Sequence, residues 1–99
     1  MTLDPAQLAE LETTLGADTL HELLVAYRED LATRLAQLRT ATDPEAIRHH
    51  AHGLRSGAAS FGAAALAAAA RDVELGGGSL AAVEHAASAV DAALGARLA

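Results

Sequence analysis

The apolar residues of this chain recur at intervals of three and four, and no stretch alternates at two. Leu20, Leu24, Tyr27, Leu31, Leu35 and Leu38 follow one another at spacings of four, three, four, four and three. On a helix they line up as one stripe, whereas on a strand they would scatter over both faces. Ile47, Ala51, Leu54, Ala58 and Phe61 repeat the pattern, as do Leu80, Val83, Ala87, Val90, Leu94 and Leu98. A shorter run turns Leu66, Ala70 and Val73 the same way. With no strand predicted, these stripes can be buried only against one another, so the chain is expected to be all-α.

The punctuation divides the helices. Asp4-Pro5 opens a first short helix, with Asp4 as cap, Gln7 placed to complete a capping box, and Leu3 and Leu8 at the staple positions. Gly16 ends it. Asp18 or Thr19 starts the second, with Glu22 placed to answer Thr19, and this helix runs to about Arg39. Asp43-Pro44 starts a third, which reaches about Ser60 before Gly62 breaks it. A fourth spans about Ala63 to Glu74. Gly76-Gly77-Gly78 reads as a loop, and Ser79 caps the last helix. Four long amphipathic helices with short connections predict an antiparallel up-down-up-down four-helix bundle with a short N-terminal capping helix. Residues 1–99 are read as a single domain.

Composition removes several function classes. The chain has no cysteine, so disulfides and thiolate metal sites are excluded. Tyr27 and Phe61 are its only Phe, Trp or Tyr residues, too few for a base-stacking platform, and a net charge of −6 opposes a nucleic-acid backbone. The uncharged stretch Ser56 to Ala70 is 15 residues long and mostly alanine. A membrane span needs about 20 strongly apolar residues. The acidic N-terminus does not resemble a signal peptide. A soluble, cytoplasmic monomer is expected, with no membrane and no nucleic-acid partner.

One face of the third helix does not belong to the core. At roughly 100° per residue, His52 falls about 140° from Ile47, outside the apolar stripe. Arg48 and Arg55 lie about 100° and 80° from Ile47. Ser56 and Ala59 lie at about 180° and 120°. Arg48, at i−4, and Arg55, at i+3, are helix neighbours of His52 and can pair with phosphate oxygens. Their like charge also favours the neutral, nucleophilic imidazole. Residue 56 leans toward the N-terminus over His52, so a small side chain there leaves the ring open to a partner. Gly53 costs about 1 kcal/mol in a helix interior. It reads either as tolerated at an exposed site or as part of a flat docking surface. Glu45, His49 and His52 have spacings that suit a metal, but no fourth ligand is evident and none is expected. His49 points outward, His50 lies on the other core edge, and His21 and His85 read as surface residues.

The run Ala51 to Gly62, A-H-G-L-R-S-G-A-A-S-F-G, resembles the core motif of the histidine-containing phosphotransfer (HPt) domain. That motif is approximately H-x-L-[KR]-G, then small residues, then G-A. The match falls at His52, Leu54, Arg55, Gly62, Ala63 and Leu66, and Val73-Glu74 fits the family's usual L-E. Leu15-Gly16 and Tyr27-x-x-Asp30 resemble the family's approach to its second helix, so the likeness covers nearly the whole chain. One position departs: Ser56 stands where the family has glycine, with Gly57 next.

The resemblance implies that His52 is the phosphoacceptor, taking a phosphoryl group at Nε2, with Arg55 and Arg48 assisting and Gly53, Ser56 and Ala59 forming the partner surface. It implies partners that are receiver domains of response regulators or hybrid histidine kinases. It implies no cofactor of the chain's own, Mg²⁺ being supplied by the receiver, and a carrier without its own ATP site rather than an enzyme. Two other readings are a regulatory module that docks a receiver or kinase without accepting phosphate, and the phosphorylated-histidine domain of a chemotaxis-type kinase.

Overall fold

The computed structural model describes residues 1–99. They form five α-helices and no strand: α1 Pro5–Leu15, α2 Ala17–Thr40, α3 Pro44–Ser60, α4 Ala64–Glu74 and α5 Leu80–Leu98. At about 1.5 Å per residue, α2 is long enough to run nearly the length of the molecule, whose extents are 40 × 20 × 20 Å. None of the helices is long and apolar enough to cross a membrane.

The predicted caps at Asp4, Asp43 and Ser79 are made. Asp4 Oδ1 accepts from the Ala6 and Gln7 amides at 3.0 and 3.4 Å. Asp43 Oδ2 accepts from Ala46 N at 3.3 Å, and Ser79 Oγ from Ala82 N at 3.1 Å. Two local expectations are corrected. Gln7 does not turn back to complete a capping box; its Nε2 donates to the Ala59 and Ser60 carbonyls at 2.8 and 3.0 Å, tying α1 to the end of α3. At this helix end the Ala59 carbonyl otherwise receives only the Gly62 amide, at 3.5 Å, so the long-range bond completes groups that the local one would have left poorly satisfied. Neither Asp18 nor Thr19 caps α2. Gly16, at φ 88°, breaks the chain for one residue, and its carbonyl already accepts from Leu20 N at 3.1 Å. Helical bonding therefore starts one residue earlier, and Thr19 lies inside the first turn.

Gly62 makes the corner between α3 and α4. Its φ of 74° lies in the left-handed region, which a side chain disfavours. A Cβ there would also stand 2.6 Å from Asp4 Cβ, because the N-terminal segment crosses directly over it. The Asp4 amide donates to the Gly62 carbonyl at 3.0 Å, and Ala63, next in the chain, is wholly buried.

α2 packs on α3, α3 on α4, α4 on α5, and α5 back on α2, so these four close a ring, with α1 against α2. Fifteen buried residues from all parts of that ring and α1 form one core cluster, and no polar or charged residue except Tyr27's hydroxyl enters it. The predicted stripes supply it, with Leu35, Ile47, Phe61, Val73 and Leu98 partly buried around its edge. Leu80 departs from the expectation: it is 36% exposed, since the first turn of α5 projects beyond the core beside the glycine loop. Alanines 58, 63, 70 and 87 are buried, which lets the backbones approach closely. Tyr27 and Phe61 stack with ring centroids 4.7 Å apart, joining α2 to the end of α3.

Candidate functional site

Ala51, Leu54 and Ala58 turn one face of α3 into the core. His52, one residue past Ala51, is thereby placed at the edge of that face, with 57% of its side chain exposed. The corner at Gly62 folds α4 back along α3 and brings Glu74, the last residue of α4, beside it. His52 Nδ1 lies 2.8 Å from Glu74 Oε1. Arg55, one turn further along α3, places Nη1 2.9 Å from Glu74 Oε2. That contact is ionic, for Oε2 has no aligned hydrogen-bond donor. Glu74 is only 15% exposed, so two partners hold a largely desolvated carboxylate.

The arrangement selects one tautomer of the neutral ring. An ionised carboxylate can only accept, so Nδ1 carries the hydrogen and donates it to Glu74. Nε2 then keeps its lone pair and has no partner within the protein. A nucleophilic nitrogen is thus presented to solvent by a ring whose orientation and tautomer are held from behind. The expectation that Arg48 and Arg55 set the charge around the imidazole is corrected at this point. The closest charged group is an anion, and Arg55 engages that anion.

The other expected residues are distributed less closely. Arg48 is 62% exposed and reaches Glu45 at 3.7 Å, along its own helix. It lines a hollow of about 570 Å³ at the α4–α5 turn, which includes Glu74 but not His52. Ser56 and Gly53 do share a hollow with His52, an open one of about 420 Å³ between α2 and α3. Ser56 is exposed, and its carbonyl accepts from Ser60 Oγ at 3.0 Å. Ala59 is exposed but outside that hollow, where its carbonyl receives Gln7. No group of three or more histidines and carboxylates is arranged to hold a metal. Tyr27 is a core residue, 6% exposed, whose hydroxyl has no partner. Burial, helped by the charge of Asp30, pushes its phenol up to about 12.

Sequence reasoning missed the part Glu74 plays. It stood in the sequence only as the end of a helix and the second letter of the Val-Glu match. Nothing local to residue 52 points to a partner 22 residues away. Arg34 and Asp30, on α2, were also missed as neighbours of the site; their i, i+4 spacing was the available signal.

The comparisons agree with the motif. The family model described as "Hpt domain" matches residues 22–99. No curated protein and no solved structure gives a match.

Proposed function

The chain belongs to the Hpt domain family, whose members are phosphocarrier modules of two-component signalling, and from that premise we propose that it relays a phosphoryl group between receiver-domain aspartates through phosphohistidine at His52. The observation that carries this reading is the Glu74–His52 hydrogen bond, which leaves Nε2 as the free, solvent-facing nitrogen. The single core supports taking residues 1–99 as one domain. The closed ring of α2 to α5 supports the antiparallel four-helix arrangement read from the sequence.

In the first step the Nε2 lone pair attacks the phosphorus of a receiver's aspartyl phosphate in line. The N–P bond forms as the P–O bond to aspartate breaks, and the carboxylate leaves with the bonding electrons. The ring takes on positive charge, which Glu74 stabilises through the Nδ1–H it already holds. No proton has to move. Onward transfer is the reverse: a second aspartate attacks phosphorus, and the N–P electrons return to Nε2. The receiver brings Mg²⁺ and its acidic pocket. This chain brings a positioned nucleophile, the Arg55 cation beside it, and a partner surface on which Ser56 and Ala59 are small and exposed and Gly53 lies under the Arg34 guanidinium. Arg48, further off, contributes through long-range charge.

The test is incubation of the protein with phosphorylated receiver domains and Mg²⁺, with His52→Gln as control, followed by mass spectrometry under alkaline conditions. An acid-labile, base-stable phosphate on His52, absent from a folded His52→Gln protein, is the expected result. Label that persists in the variant would refute the assignment to His52. Docking without transfer would replace the relay reading with that of a regulatory module.

A further inference from the structure

We propose that Arg34, on α2, is a second phosphoryl-binding residue of the site, seated on Gly53 and facing the group carried by His52. The inference rests on the phosphocarrier reading above and adds a residue to it. Three observations carry it.

The first is the seat. A Cβ on Gly53 would stand 2.1 Å from Arg34 Nη1 and 2.6 Å from Cζ, so the guanidinium fills the space that any other residue would need. The choice left open by the sequence, tolerance or docking surface, is thus resolved differently: Gly53 is where an arginine from the neighbouring helix lies against α3.

The second is the state of its donors. Arg28, also on α2, lies similarly over Gly95, but it is used up in a bidentate pair that ties α2 to α5. Its Nε and Nη2 donate to the two oxygens of Asp91 at 2.8 and 3.4 Å. Arg34 makes no such tie. Its Nε donates to Asp30 Oδ2 at 3.0 Å within its own helix, and its Nη groups have no carboxylate partner. They are held in place and left available, the geometry in which a guanidinium takes two oxygens of a phosphoryl group.

The third is direction. The hollow that contains Arg34 and His52 is completed by Asp30, His49, Gly53, Ser56, Gly57 and Ser60, and no apolar side chain lines it. Nδ1 of His52 points to Glu74 on α4, and the two ring nitrogens of an imidazole diverge widely. The N–P bond therefore leaves the ring away from α4 and away from Arg55, whose charge Glu74 already engages. Arg34 is the cation on the open side. Asp30 holds it from the rear, and His49 is the other titratable group that faces the hollow.

Phosphoramidate, a small phosphoryl donor that needs no protein docking, separates this role from partner recognition. The wild type, Arg34→Gln, Arg34→Lys and Gly53→Ala proteins are labelled with it, and the phosphohistidine is followed by phosphorus NMR across pH. Arg34→Gln is expected to slow labelling of His52 about tenfold and to raise the phosphoryl group's own pKa by about one pH unit, with Arg34→Lys restoring part of both. Gly53→Ala keeps the charge but displaces it, and is expected to raise the same pKa while leaving the helix intact. A wild-type titration curve in folded Arg34→Gln would overturn the role of Arg34 and leave the phosphocarrier reading standing. Absence of label on His52 in the wild type, from phosphoramidate and from receivers alike, would overturn both.

Discussion

At the scale of single residues, the site is a division of labour around one imidazole. In the proposed relay His52 supplies the attacking nitrogen, and its hydrogen bond to Glu74 selects which nitrogen that is. Glu74→Ala removes the acceptor that keeps hydrogen on Nδ1. The ring is then expected to shift toward the Nε2–H form, read by nitrogen chemical shifts, and phosphate acceptance to fall roughly tenfold or more. Retained fold with an unchanged rate would show that the tautomer is set by something else. His52 and Arg55 stand out as candidates in the sequence because a leucine and a cation at fixed spacing follow the histidine along one helix. Glu74 does not, because its contribution depends on how α4 returns along α3, a property of the corner and not of either helix's composition. Arg34 was hidden for a similar reason: only the packing of α2 on α3 turns an ordinary i, i+4 ion pair into a cation over Gly53.

At the scale of elements, the corner at Gly62 governs the site more than any helix does. It combines a left-handed backbone, a carbonyl bound to Asp4 and no room for a Cβ. Gly62→Ala is expected to cost about 1–3 kcal/mol of stability, measured by denaturant unfolding. Because the corner sets where Glu74 meets His52, the same variant should loosen the His52 tautomer. A stable variant with a fixed tautomer would mean that α3–α4 packing alone holds the pair. Helix boundaries were largely readable from Asp-Pro, Gly and Ser signals, since capping is a local competition for a few amides. The errors came where a distant partner won that competition, as Ala59 and Ser60 did for Gln7, or where Gly16 let one helix follow another without a side-chain cap.

At the scale of the whole molecule, the ring of four helices closes on leucine, valine and alanine, with one polar group inside. The Tyr27 hydroxyl is buried without a partner, and its phenol titrates at about 12 instead of the usual 10.0. The folded state therefore retains a proton that the unfolded chain releases. Its contribution to stability is intact below pH 10 and declines as pH rises toward 12. Denaturation followed across that window should show the decline, and Tyr27→Phe should flatten it; an unaltered slope would assign the effect to other groups. The all-helical class and most core positions were readable because spacing of three and four leaves no other way to bury these stripes. Which helix neighbours which was less so, because small alanine faces fit many partners almost equally well.

The N-terminal helix gives the last consequence. Asp4 and Gln7 fasten it to the Gly62 carbonyl and to the end of α3, yet the family match begins only at residue 22. The span that the family model matches and the mechanical unit thus do not coincide. The latch on the corner that sets Glu74 beside His52 is made by residues that precede the matched span. The geometry at His52 thus leans on two residues, Asp4 and Gln7, that are no letter of the motif.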